Sequence, residues 1–83
     1  MTQEQVFEKV VGILTPFSKD PSALSAVKME TNILKDLKVN SARLVDVVLA
    51  FEDEFGIQVA DDEVDSVLTV GDAVGLICSK LAA

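Results

Sequence analysis

The stretch LVDVVLAFEDEFG, residues Leu44–Gly56, is the clearest helical signal in the chain. Its apolar side chains recur at spacings of three and four, which places them on one face of a helix; they are Leu44, Val47, Val48, Phe51 and Phe55. Gly56 follows at once, as expected of a glycine that ends a helix by adopting the left-handed conformation without steric cost. The stretch therefore predicts an amphipathic helix that buries one face in a helical core.

The segments before and after this helix also have apolar residues at helical spacing. An N-terminal helix is predicted by apolar residues at helical spacing, by a T-x-x-Q capping box from Thr2 to Gln5, and by Pro16, which should end or bend it. A final helix should begin after Thr69 and bury Val70, Ala73, Val74, Ile77 and Leu81. A short acidic helix is expected near residues 61–66.

We predict one all-α domain over residues 1–83, since 83 residues suffice for one small domain. Its architecture should be a small four-helix bundle with three main helices and one short helix. A long loop, Ser18–Asn40, follows the first helix. Apolar residues at intervals along this loop indicate that it is held against the core, and connections of this length often contain further local structure.

The net charge of −7 excludes several classes of partner. Nucleic acids and anionic membrane surfaces both require a basic footprint, so we expect neither nucleic-acid binding nor membrane insertion. Basic protein surfaces are favoured instead. Without an apolar run of about 20 residues or a basic leader, the sequence predicts a cytoplasmic protein, which we expect to be a monomer.

The chain has no histidine, so the commonest general base and the commonest metal ligand are both missing. A serine nucleophile paired with Lys35 or Lys38 is the only catalytic arrangement left open. Cys78 lies in an apolar helical pattern and is predicted to be a core residue instead of a reactive thiol. The acidic runs lack the calcium-loop pattern, so we predict no catalytic residues and no metal site.

Ser41 stands where the loop meets the helix of residues 44–55. If Asn40 caps the helix, the hydroxyl of Ser41 is left free in the first turn, where the helix dipole favours an attached anion. If Ser41 is itself the cap, its hydroxyl is occupied. The local sequence leaves both arrangements open.

The run from Leu34 to Ile77 resembles the acyl carrier proteins of fatty acid and polyketide synthesis. The likeness rests on LKDL before the serine, on the serine itself, on FEDEFGIQVADDE from Phe51 to Glu63, and on TVGDAV in the last helix. The resemblance implies that a phosphopantetheinyl transferase attaches 4'-phosphopantetheine from coenzyme A to Ser41. The thiol of that arm would then hold acyl groups as thioesters.

The resemblance also implies two sets of further site residues. The partner-docking set, which would meet basic patches on acyl-transfer and chain-elongating enzymes, is Asn40, Ala42, Arg43, Asp46, Glu52 and Asp53. The candidates to line a space for an acyl chain are Leu44, Val48, Phe51, Leu68 and Ile77. The second set is equally compatible with an ordinary core.

The serine motif departs from the family pattern Asp-Ser-Leu, because Asn40 and Ala42 flank the serine and Arg43 adds a cation in the first helical turn. We interpret this as a specialised carrier for fatty acid, lipid or polyketide synthesis. Changing these three residues to Asp, Leu and Asp should raise loading by a broad-specificity transferase. Two alternatives stay open, a peptidyl or aminoacyl carrier and an unmodified interaction module with the same bundle.

Overall fold

The computed structural model describes residues 2–19 and 21–82, with the side chain of Pro21 left out. Within these residues the structure has five α-helices: α1 (Gln3–Leu14), α2 (Pro21–Leu24), α3 (Leu44–Phe55), α4 (Asp61–Val64) and α5 (Val70–Ala82). The three long helices and the short acidic helix confirm the predicted bundle. α2 is an addition of four residues, and it lies within the long loop.

Local capping explains where the long helices start and stop. Thr2 and Gln5 form the predicted capping box at α1, and the three residues after α1, which include Pro16, tighten into a 3₁₀ turn. α3 ends at Gly56, whose φ of 65° is left-handed. Before α5, the Thr69 hydroxyl accepts from the Asp72 amide, and the Asp72 carboxylate accepts from the Thr69 amide. These caps satisfy backbone groups that helix ends leave unpaired.

α1 packs against both α5 and α3, and their apolar faces form the core. No polar or charged residue among those described is buried. The fully enclosed side chains come from every long helix and from the loop, and the largest are Leu14, Ile33, Leu37 and Ile77. A core of this kind is stabilised by the removal of apolar surface from water.

The long loop is attached to the start of α5 by backbone hydrogen bonds. Ile33 donates to the Leu68 carbonyl over 3.0 Å, and Val70 donates to the Thr31 carbonyl over 2.9 Å. Residues 33–36 form turns, and the Asp36 amide donates to the Asn32 carbonyl over 2.9 Å, which closes a single helical turn. The Asn32 side chain also accepts from the amides of the two residues after Ile33, at 3.0 and 2.8 Å. The loop is therefore an ordered part of the bundle.

An ion pair joins α4 to α5. The Lys80 ammonium donates to a Glu63 carboxylate oxygen over 2.7 Å. The hydrogen bond from Lys80, followed by that from the Ala60 amide, lowers the pKa of Glu63. In the part of the chain that the structure describes, no helix is long and apolar enough to cross a membrane.

Candidate functional site

Asn40 caps the turn that carries Ser41. Its side-chain oxygen accepts from the Ala42 amide over 2.9 Å, and its carbonyl accepts from the Arg43 amide over 2.8 Å. Ser41–Arg43 form a 3₁₀ turn that runs directly into α3. Of the two arrangements that the sequence left open, the structure adopts the one with Asn40 as the cap.

The Ser41 side chain is exposed, and no described residue hydrogen-bonds to its hydroxyl. A hydroxyl in this state is available to an approaching enzyme. The amides of Ala42 and Arg43 are already paired, because both donate to Asn40. An anion on Ser41 would gain from the helix dipole, without hydrogen bonds from these two amides.

The end of α1 and the start of the long loop lie beside this turn. The Ser18 hydroxyl donates to the Leu37 carbonyl over 2.6 Å, which ties the two ends of the loop together. A surface depression of about 450 Å³ opens there. Its lining residues are Pro16, Phe17, Ser18, Lys19, Asn40 and Arg43. Two cationic residues, Lys19 and Arg43, thus line the surface depression next to the turn of Ser41.

Arg43 and Asp46 form an ion pair on the exposed surface of α3, with their nitrogen and oxygen 3.1 Å apart. The two side chains are 66% and 47% exposed, so a partner can reach both. The pair is surface-exposed, so its contribution to stability is small. The main effect of the pair is electrostatic. The positive charge of Arg43 offsets the negative charge of Asp46, which is one of the residues predicted to dock partners.

The other two acids of the partner-docking set, Glu52 and Asp53, have different surroundings. The Glu52 carboxylate accepts from the Val59 amide over 2.9 Å and so holds the connection between α3 and α4. Asp53 is exposed on α3. Asn40, Ala42 and Arg43 are exposed as well. The whole set therefore lies at the surface along α3 and the turn before it, although its role in docking stays a prediction.

Four of the five acyl-pocket candidates are buried or half-buried, and the fifth is exposed. Val48, Phe51 and Ile77 are buried, and Leu44 is half-buried against the core. Leu68 is 53% exposed, so in this conformation it lines no enclosed space. The Leu68 carbonyl accepts a hydrogen bond from the Ile33 amide in the long loop, while the Leu68 side chain is exposed to solvent.

A groove of about 400 Å³ runs between α3 and α4. Five apolar and three acidic residues line it: Val45, Val48, Leu49, Glu52, Val59, Asp61, Val64 and Asp65. Val48 is the one acyl-pocket candidate among them. Val45 and Leu49 were not among the predicted site residues, because they lie off the buried stripe of α3. Their spacing of four residues on one exposed helix face was a signal that could have found them.

Cys78 is half-buried beside the core, in agreement with the sequence prediction. Among the residues that the structure describes, no group of three potential metal ligands comes together. Ser41 forms no hydrogen bond with Lys35 or Lys38, the two lysines that a serine-lysine arrangement would need. The described geometry thus contains no activating base for this serine.

The surroundings of Ser41 fit a phosphopantetheine. A phosphodiester on this exposed hydroxyl would stand at the positive end of the α3 dipole, with the side chains of Lys19 and Arg43 beside it. Among the residues that the structure describes, none with a carboxylate lines the depression. The phosphopantetheine itself supplies a thiol that binds acyl groups as thioesters. The protein would supply the exposed hydroxyl of Ser41 for the attachment, with Lys19 and Arg43 close by.

Comparison with known proteins gives a consistent result. The profile of the phosphopantetheine attachment site family matches residues 20–77. The acyl carrier protein of Lactobacillus acidophilus is 38% identical over 80 residues, covering 95% of this chain and 96% of its own. That of Thermotoga maritima is 39% identical over 80 residues and covers 96% of each chain.

The comparison with solved structures points to the same family. The structure of acyl carrier protein from Enterococcus faecalis superposes with a TM-score of 0.79 at 35% identity, over 96% of this chain and 99% of that one. Proteins of this kind interact with phosphopantetheinyl transferases and with acyl-handling enzymes. The chain therefore belongs to the acyl carrier proteins, which hold acyl groups on a covalently attached 4'-phosphopantetheine and are carriers, not enzymes.

Proposed function

We propose that Ser41 is the residue that bears the phosphopantetheine. The observation that supports this is its exposed hydroxyl, which no described residue engages, on an Asn40-capped turn at the start of α3. In the loading step, the Ser41 oxygen bonds to the phosphorus of coenzyme A that bears the pantetheine. The bond from that phosphorus to the bridging oxygen breaks, adenosine 3',5'-bisphosphate leaves, and the transferase accepts the serine proton.

The loaded arm carries acyl groups in fatty acid, lipid or polyketide synthesis, in the cytoplasm and as a monomer. The apolar residues that line the groove between α3 and α4 support an acyl cargo over an aminoacyl one, because burial of an alkyl chain contributes about 25 cal/mol per Å². The acidic surfaces of α3 and α4 support docking to basic patches. The arm raises the effective concentration of its thioester near a docked enzyme.

Intact-mass measurement tests the attachment site. The chain is incubated with coenzyme A, magnesium and a phosphopantetheinyl transferase, and we expect a gain of the mass of one phosphopantetheine. Ser41→Ala should abolish the gain. Ser79→Ala is the matched control, since Ser79 is also exposed and lies on α5, and it should load normally.

Other outcomes would point elsewhere. An unchanged mass with several transferases would favour an unmodified interaction module. Loading that persists in Ser41→Ala would place the arm on another residue. Transfer of aminoacyl groups to the loaded chain in preference to acyl groups would favour a peptidyl carrier.

A further inference from the structure

The segment that contains α4 is attached to the core mainly at its two ends. Ile57 and Val67 are buried there, whereas no residue from 58 to 66 is buried. Between them, Val59 packs against the core with only part of its side chain. A helix of four residues is too short to be stable alone in water, so α4 depends on contacts with its surroundings. We call residues 58–66 the α4 segment.

Polar contacts of Glu63 hold the middle of the α4 segment. Its Oε1 oxygen accepts from the Ala60 amide over 2.9 Å and from the Lys80 ammonium over 2.7 Å. One carboxylate oxygen therefore joins the start of α4 to the last turn of α5. The side chains of Lys80 and Glu63 are 27% and 32% exposed, so water and salt screen this pair less than a fully exposed one.

Surface depressions lie on both sides of the connection between α3 and α4. One is the groove of about 400 Å³. The other has a volume of about 420 Å³ and is lined by Glu52, Gln58, Val59, Ala60, Glu63 and Lys80. Glu52 and Val59 line both depressions, and the Val59 amide donates to the Glu52 carboxylate over 2.9 Å. This bonded pair therefore lies at the boundary between the two depressions.

The two walls of the groove are held in different ways. On one wall, Val45, Val48 and Leu49 belong to α3, a helix of 12 residues that contributes to the core. On the other wall, Val59 and Val64 belong to the α4 segment. A displacement of this segment would change the size of the groove while α3 stays in place. The contacts that hold the α4 segment therefore control how much room the groove offers.

We infer that the ion pair of Glu63 and Lys80 is a latch on the α4 segment, and that this latch limits the length of acyl chain that the groove can bury. While the pair is intact, the boundary between the two depressions closes the groove at one end. Without the pair, the segment can move between its two buried ends, so that the groove extends into the second depression. The inference rests on the proposed acyl cargo of an arm at Ser41, and Lys80 acts in it as a positioning residue.

Cleavage of the thioester by hydroxylamine tests the latch. A broad-specificity phosphopantetheinyl transferase loads each carrier from straight-chain acyl-coenzyme A of increasing length, from butyryl to palmitoyl, and intact mass verifies the loading. Because a buried chain must leave the groove before its thioester is attacked, burial of one more methylene should slow cleavage by up to roughly fourfold. In the unchanged chain, we expect this slowing to stop at the length that fills the groove.

Lys80→Met removes the charge and keeps an unbranched side chain. Its cleavage rates should continue to fall at lengths where the rates of the unchanged chain have become constant. Lys80→Arg keeps the charge and should behave as the unchanged chain does. Lys9→Met is the matched control, because Lys9 pairs with Glu54 over 3.7 Å between α1 and α3 and lines neither depression. It should leave the length dependence as it is.

Amide hydrogen exchange of the unloaded chain gives a second readout. Loss of the ion pair in Lys80→Met should speed exchange of the Val59 and Val64 amides by roughly two- to fivefold, while the amides of α1 exchange as in the unchanged chain. Exchange that is equally fast in both chains would overturn the latch. Faster exchange of the α1 amides as well would show that the pair stabilises the whole bundle, and this would also overturn it.

The failures can be told apart. Cleavage rates that become constant at the same length in Lys80→Met and in the unchanged chain would overturn the latch and leave the attachment at Ser41 intact. Equal cleavage at every length in the unchanged chain would overturn burial of the cargo in the groove, and the latch with it. If no carrier gained mass, the proposed attachment at Ser41 would itself be wrong.

Discussion

The backbone amide of Gly71 donates to the carbonyl oxygen of Met29 over 2.6 Å, so the long loop and the first turn of α5 touch without a side chain between them. A Cβ atom at position 71 would lie 2.8 Å from that oxygen. The obstacle is backbone, which cannot rotate away as a side chain could. The start of α5 can therefore dock on the loop only because residue 71 is glycine.

Gly71→Ala should destabilise the fold by about 1–3 kcal/mol, the range for an extra methyl group forced into a packed contact. Urea denaturation measures the change. Gly75→Ala on the same helix is the control: nothing lies within 4 Å of its Cβ position, and higher helix propensity should stabilise it by up to about 1 kcal/mol. Equal effects of the two changes would contradict the close-contact explanation.

Lys38→Gly should raise the free energy of unfolding by about 0.5–1 kcal/mol. Relief of the left-handed lysine, about 1–2 kcal/mol, exceeds the added entropy of the unfolded chain, about 0.4–1 kcal/mol. Thermal and urea unfolding would both detect it. Lys35→Gly, an exposed lysine whose φ is not positive, should instead lose stability. A loss at both positions would show that Lys38 is not strained.

Asn40→Ala should cost about 1 kcal/mol, because the Ala42 amide loses its acceptor and the turn before α3 loses its cap. Asn40→Asp keeps an acceptor oxygen and should cost little. Helical circular dichroism during urea unfolding compares the two. If Asn40→Ala were as stable as the unchanged protein, water would be accepting the hydrogen bond of the Ala42 amide equally well.

Asp72 should make folding sensitive to acid. The pKa of Asp72 is lowered, because its carboxylate accepts hydrogen bonds from the amides of Thr69 and Leu68. A lowered folded-state pKa contributes stability that is complete above the ordinary aspartate pKa and is lost as pH falls through the folded value. Asp72→Ala should therefore be less stable than the unchanged protein at neutral pH.

The difference between the two proteins should shrink as pH falls below about 4. Urea midpoints measured from neutral pH to pH 2 follow this change. Asp53→Ala, at an exposed carboxylate on α3, is the control and should lower stability less. A constant difference across the whole pH range would mean that Asp72 acts through packing alone.

Much of the candidate site was predictable because it depends on neighbours in sequence. The cap at Asn40 and the pair between Arg43 and Asp46 join residues two or three positions apart, and local chemistry and helix geometry specify such contacts. The groove between α3 and α4 was not predictable in the same way. Its two walls come from separate helices, and its lining depends on how those helices lie against each other.

The sequence by itself determined the three long helices, their caps and the position of Ser41 at a helix start, since periodicity and capping act over three or four residues. It also determined the buried stripes, except that Leu81, predicted to be buried, is 39% exposed. Only the tertiary structure decided that Met29 meets Gly71, that Ile33 bonds to the Leu68 carbonyl while the Leu68 side chain stays outside, and that Lys19 joins Arg43 beside the serine. The physical reason is distance along the chain. Residues more than twenty positions apart are brought together by burial of the whole core, and no local pattern records which of them will meet.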